Sequence, residues 1–191
     1  AVAHEIRNPL AAIAQANALL SEDAATAEQR QLTRMVAENV ERLKRIVDDV
    51  MEVAPGPRQE AGVVVAGAQV AAVCGEWTRT TGVGLGGQGM LQVALPAEPL
   101  NVVFDHEHLR RVLVNLLDNA RRHATGSPAS LQLRLHGRDA NEALLTLASD
   151  GPPISPDVER YLFEPFFSTR SRGSGLGLYI CRELCERHGA R

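Results

Sequence analysis

The sequence predicts an α+β chain, with a helical hairpin followed by a layered domain of helices and strands. Three features carry this expectation. Two long segments space their apolar residues alternately by three and four, the run Ala54-Pro55-Gly56-Pro57 ends the second of them, and the remainder mixes helical and strand periods without regular βαβ alternation. Size agrees: 191 residues, 45% of them hydrophobic, make one ordinary domain plus a small one and exclude disorder throughout.

The first segment places Ile6, Leu10, Ile13, Asn17 and Leu20 on one stripe. The second places Leu32, Met35, Asn39, Leu43, Ile46, Val50 and Val53 on another. Each is a heptad pattern. The polar stretch 21–26 turns the chain, and Thr26 with Gln29 three residues on has the form of a capping box that starts the second helix. A single hairpin cannot cover two full stripes, so pairing with a second copy into a four-helix bundle, a homodimer, is expected. Asn17 and Asn39 are polar members of the stripes that can fix register. Proline cannot continue a helix, which sets the boundary between a hairpin over 1–56 and a second domain over 57–191.

In that domain the periods give a strand over 62–65, then a helix over 66–80 carrying Val70, Val73, Cys74 and Trp77. A glycine-rich loop over 82–89 leads to strands over 90–95 and 101–104. A strong helix covers 107–124. Alternation over 130–136 and 143–149 reads as a hairpin, and a last helix covers 176–188.

The charge balance, 20 basic against 23 acidic residues with a net charge of -3, gives no broad basic surface and argues against nucleic acid as a partner. No apolar run is long enough to cross a bilayer and no signal-peptide pattern opens the chain, so the expectation is a cytoplasmic piece without direct membrane contact. Cys74, Cys181 and Cys185 are an odd set, and the last two sit four apart in a helix, which suits buried reduced thiols better than a disulfide.

Three groups can carry chemistry. His4 and Asn8 share a helical face, Glu5 can orient the imidazole or take its proton, and Pro9 removes a helical hydrogen bond beside them, so a kink is expected there. Asn115, Asn119, Arg122 and His123 recur at spacings of three and four, with amide oxygens that suit a hard cation such as Mg²⁺ and a guanidinium that suits phosphate. The glycines of Gly173-Ser174-Gly175-Leu176-Gly177-Leu178 lead into a helix and can present N–H groups to phosphates. Taken singly, each group has a plain alternative: a solvated histidine, the polar face of an amphipathic helix, a flexible turn. Just upstream, 162–167 holds three of the chain's four phenylalanines, which core packing explains better than a ligand box, although the cluster can also anchor the segment 168–173.

Together these runs resemble the sensor histidine kinases of two-component signalling. His4-Glu5-Ile6-Arg7-Asn8-Pro9-Leu10 looks like their H box, 115–124 like the N box, 163–167 like the F box and 173–177 like the G2 box, in family order. The closing run 175–186 is similar to the kinases that govern type IV pilus genes. The resemblance implies a dimerisation and phosphotransfer hairpin followed by a GHKL (Bergerat) ATP-binding α/β sandwich that stops short of the family's last strands. It implies that His4 is the phosphoacceptor, that Glu5 hydrogen-bonds the other ring nitrogen and acts as base, and that Asn8 positions water in a reverse, phosphatase reaction. Asn115 and Asn119 would hold Mg²⁺, Arg122 and His123 would lie near the phosphates or ribose of ATP, and Gly173, Ser174, Gly175, Leu176 and Gly177 would cradle the phosphates. The implied partner is the receiver domain of a response regulator, and the implied parent protein is anchored in the inner membrane.

One motif departs from the pattern. Where the family's G1 box reads Asp-x-Gly-x-Gly, this chain has Ser149-Asp150-Gly151-Pro152-Pro153. Ser149 stands where an aspartate accepts from the adenine amino group. A hydroxyl brings no charge, and charge-assisted hydrogen bonds contribute about 1.5–3 kcal/mol against about 0.5–1.5 for neutral ones, so weaker adenine recognition is expected. Asp150, one residue along, would misplace Gly151 if it took the role. The competing reading is a scaffold with the kinase fold whose nucleotide site has decayed at Ser149 and Pro153. A chaperone or topoisomerase ATPase of the same superfamily is disfavoured, because those lack the His4 hairpin.

Overall fold

The computed structural model describes residues 2–53, 62–139, 142–169 and 174–191, with the side chains of residues 2–4, 49, 52 and 53 outside that description. The expected boundary at 56/57 also lies outside the described residues. The chain forms two compact units, one of Ala1–Gly56 with Pro165–Leu176 and one of Pro57–Glu164 with Gly177–Arg191.

The first unit contains helices α1 (Val2–Glu22) and α2 (Ala27–Val53) packed on each other. Pro9 stands inside α1 without ending it. The capping box forms as the sequence predicts: the Gln29 amide N–H donates to Thr26 Oγ1 at 3.1 Å, and the Thr26 N–H donates back to Gln29 Oε1 at 3.0 Å. Leu10 and Val40 are buried between the helices. So is Asn17, whose Nδ2 donates to the Thr33 carbonyl at 2.8 Å. Asn39 does not share that role, because it is exposed and donates to Met35 of its own helix. At the other end Arg7 ties α1 to α2 through Asp48 at 2.6 Å.

The second unit is a sandwich of helices on strands. In chain order it contains β1 (Val63–Val65), α3 (Ala66–Thr81), β2 (Leu91–Ala94), β3 (Asn101–Val103), α4 (His106–His123), β4 (Leu131–Gly137), β5 (Ala143–Ser149), α5 (Pro156–Glu159) and α6 (Gly177–Arg187). β2 pairs parallel with β4, which pairs antiparallel with β5. β1 and β3 form a separate antiparallel pair. β4 alternates strictly, and its buried Leu131, Leu133 and Leu135 meet Val70, Val73, Cys74 and Trp77 of α3 and Leu113 and Leu117 of α4. Trp77 Nε1 donates to Asp118 Oδ1 at 2.8 Å, giving the buried indole its polar partner. α3 stops at Gly82, which takes φ 70 as its cap. α4 begins under Asp105, whose carboxylate accepts from the His108 N–H, and ends in Arg121, Arg122 and His123, which suit the negative end of its dipole. Cys74 and Cys181 are buried free thiols, held up to about 11 and about 12 by burial. Among the described residues no helix is long and apolar enough to cross a membrane.

α4 also packs on α6. At the start of α4, His108 Nδ1 lies 2.8 Å from Nε2 of His188, just beyond α6, and the His188 ring rests on Phe104 with centroids 4.3 Å apart. His188 is held below the usual imidazole value by burial first and then by His108 and Arg187, against the pull of Asp105. The fold therefore favours the neutral ring. That contribution is present above the unfolded value of about 6.5 and is lost as the pH falls from there through the lower folded value. We expect the melting temperature to drop as the pH falls below about 6.5, and to drop less in His188→Gln. Equal slopes in the two proteins would refute this.

Candidate active site

α4 carries Asn115, Asn119, Arg122 and His123, and two other predicted motifs meet it. Asn115 Nδ2 donates to the carbonyl of Gly177, the first residue of α6, at 3.3 Å. A Cβ added at Gly177 would lie 3.8 Å from the Asn115 amide carbon, an ordinary contact distance, so the two residues are close neighbours although a small side chain would also fit. Asn119, one turn on, is half-buried, and Arg122 and His123 are exposed. Gly151 lies against the last turn of α4, where a Cβ would sit 2.2 Å from the His123 carbonyl oxygen. Only glycine permits that approach, since the obstacle is backbone.

Strand register places Ser149. It pairs with Leu131 at the end of β5, as Leu147 pairs with Leu133 and Leu145 with Leu135. Directly opposed residues share a face, so the Ser149 side chain belongs to the face that the helices cover, at its exposed margin. Asp150 is engaged elsewhere. Its Oδ1 accepts from the Thr125 N–H at 2.9 Å, and its Oδ2 accepts from Thr125 Oγ1 at 2.6 Å and Ser127 Oγ at 3.2 Å. The Thr125 hydroxyl and N–H hold its carboxyl below the usual carboxylate value. The clamp is therefore intact at neutral pH and is lost only as the pH falls below the carboxylate range.

Sequence reasoning overlooked this clamp, which fixes the turn after α4 to the strand exit that carries Ser149 and Gly151. The signal was a Thr-Gly-Ser run directly after the helix. In Asp150→Ala, nucleotide affinity is expected to fall about three- to tenfold through lost positioning, with little change in melting temperature because the group is exposed. Calorimetric titration with ATP checks this, and an unchanged affinity would remove Asp150 from the site.

The segment 165–176 brings Phe166 and Gly175 together. Phe166 takes φ 65, unusual for a bulky residue, and Gly175 takes φ 71. A Cβ at Gly175 would lie 2.4 Å from the Phe166 carbonyl carbon, so the two ends of this stretch meet backbone to backbone. Ser174 Oγ accepts from the Leu176 N–H at 3.3 Å, and Leu176 is buried. Gly173 lies outside the described residues. The reading of the phenylalanines as core is corrected here: Phe163 and Phe166 are 41% and 64% exposed. His4 lies in the first turn of α1, with its side chain outside the described residues, and Glu5 and Asn8 are exposed.

Among the described residues no group of three or more His, Cys, Asp or Glu is arranged to hold a metal ion. The amide nitrogen of Asn115 is taken by Gly177, which leaves its oxygen as an acceptor. A hard cation here would thus be held by amide oxygens together with oxygens brought by its ligand, a donor set that fits Mg²⁺ with a polyphosphate. A separate cavity of about 540 Å³ opens beside β1 and β3, and none of the predicted site residues lines it.

Comparison with known proteins identifies the family of both parts of the chain. The model of the His Kinase A (phospho-acceptor) domain matches residues 1–56, and that of the histidine kinase-, DNA gyrase B- and HSP90-like ATPase matches 104–191. The chain is 34% identical over 194 residues to the sensor protein kinase PilS of Pseudomonas aeruginosa, covering 100% of this chain and 36% of that protein. It is 30% identical over 198 residues to the sensory histidine kinase/phosphatase NtrB of Rhodobacter capsulatus, covering 98% and 54%. The crystal structure of full-length ShkA in complex with AMPPNP superposes with a TM-score of 0.71 at 26% identity, covering 98% of this chain and 40% of that one. The chain spans about a third to about half of the length of the curated relatives it matches.

Proposed function

We propose that this chain, which belongs to the two-component sensor histidine kinases, phosphorylates its own His4 from ATP and passes the phosphoryl group to an aspartate of a response-regulator receiver domain. The supporting observation is the convergence on α4: Asn115 is bonded to Gly177 while the His123 carbonyl lies under Gly151. Three runs far apart in sequence are thereby gathered around one helix of the second unit.

In this reading a ring nitrogen of His4 attacks the γ-phosphorus, a nitrogen–phosphorus bond forms, and the bond from phosphorus to the bridging oxygen of ADP breaks. Glu5 holds the other ring nitrogen and takes its proton. Asn115 and Asn119 would hold Mg²⁺, which would neutralise phosphate charge when bound. Arg122 and His123 line the phosphate or ribose side, Ser149 and Gly151 the base side, and Gly173, Ser174, Gly175, Leu176 and Gly177 the phosphates. Positioning and charge neutralisation account for most of the rate. Asn8 positions water for a phosphatase activity toward the regulator, an activity that the name of NtrB also carries.

The same reading divides the chain into a phosphoacceptor hairpin over 1–56 and an ATP-binding domain over 57–191, on the cytoplasmic side of a parent anchored in the inner membrane. The hairpin acts as a homodimer. Ile13, Leu20, Leu32 and Met35, all on the apolar stripes, remain about half exposed or more in a single copy, and a four-helix bundle would cover them.

Incubation of the chain with γ-labelled ATP and Mg²⁺ tests the reading. The expected product is an acid-labile, alkali-stable label that moves to a receiver domain on mixing. Nucleotide binding without label would favour the scaffold alternative instead.

A further inference from the structure

The exit of β5 exposes a hydroxyl and withholds a carboxylate. Ser149 continues the Leu145–Leu147 face of β5, the face that α4 covers, and stands exposed at its end. Two residues later Gly151 packs on the His123 carbonyl, so Ser149 is within about 7 Å of extended chain from the last turn of α4. The adjacent carboxylate, Asp150, accepts hydrogen bonds from Thr125 N–H, Thr125 Oγ1 and Ser127 Oγ. It also lies one residue out of phase with the face that Ser149 occupies, and its N–H is bonded to the Ser130 carbonyl. Turning its side chain toward the site would break the three hydrogen bonds its carboxylate accepts.

The chemistry of the two groups differs in kind. An ionised carboxylate only accepts, so it favours a 6-amino purine and repels a 6-oxo one. A hydroxyl rotates, accepting from an amino group or donating to a carbonyl with little difference between them. We propose that this nucleotide site does not discriminate 6-amino from 6-oxo purine nucleoside triphosphates, and that Ser149 is the residue that relaxes the selection. The inference rests on the reading of the site as a nucleotide pocket.

The test is equilibrium binding of ATP and of ITP, which carries oxygen at the 6-position, to the full chain with Mg²⁺. The expected result is that the two dissociation constants agree within about threefold, and that in Ser149→Asp the preference for ATP rises by about tenfold. In Ser149→Ala both nucleotides should weaken together, which keeps the test decisive if the aspartate variant folds poorly. A native preference for ATP beyond about thirtyfold would overturn the inference and leave the ATP site standing. So would an unchanged ATP/ITP ratio in a folded Ser149→Asp protein. If neither nucleotide binds, the pocket reading fails and the inference fails with it.

Discussion

In His4→Gln, phosphoryl incorporation from γ-labelled ATP is expected to fall to background while the protein stays folded and keeps its nucleotide affinity. His4 lies in the first turn of α1, at a place where glutamine is at least as good a helix former as histidine. Stability should therefore change by only a few tenths of a kcal/mol. The groups proposed to hold nucleotide stand on α4, at the exit of β5 and in the glycine run, so titration with ATP should give the same affinity as the native chain. Loss of label with binding preserved isolates the nucleophile, because His4 is the only imidazole of α1 and a phosphorylated Arg7, also acid-labile, would not survive alkali as phosphohistidine does. Retained label would remove His4 as acceptor. Loss of both label and binding would instead point to misfolding, which circular dichroism would reveal.

Gly151→Ala is expected to have the second largest effect. Its new Cβ would stand 2.2 Å from the carbonyl oxygen and 2.9 Å from the carbonyl carbon of His123. Both are backbone atoms at the end of a helix, so no rotamer change relieves the clash. Either the last turn of α4 or the strand exit must move. Overpacking of this kind costs about 1–3 kcal/mol. The displaced parts carry His123, Arg122 and Ser149, so nucleotide affinity should fall by about tenfold or more. Gly75→Ala is the matched control. Gly75 lies within α3 with nothing within 4 Å of an added Cβ, and there alanine should stabilise by about 0.5–1 kcal/mol through helix propensity. Similar thermal shifts and similar ATP affinities in the two variants would exclude the steric account of Gly151.

Local chemistry made much of this molecule legible in advance. The heptad stripes gave α1 and α2, and Thr26 with Gln29 marked the start of α2 because the box is written within four residues. The β4–β5 hairpin followed from alternation, and α4 from its apolar period. The pairing of distant strands was not legible. β1 meets β3 across α3 and β2, and β2 joins β4 in parallel; such partners are chosen by the packed core and leave no trace in a short window. The same holds within the site. Asn115 and Gly151 stood out by type and spacing, but the orientation of Ser149 depends on its opposition to Leu131, and the engagement of Asp150 on a turn 23–25 residues upstream. The short α5, opened by Ser155, passed unnoticed because four residues show no period.

The amide of Asn17 bears on how movement can pass along the hairpin. Sliding α1 by one turn against α2, about 5.4 Å, would carry that amide away from the Thr33 carbonyl and leave a buried donor unpaired, at about 1–3 kcal/mol. It would also pull Arg7 from Asp48. A piston stroke of one helix along the other is therefore opposed at two levels. Rotation or tilting of the pair as a single lever leaves both attachments in place and is not opposed by them.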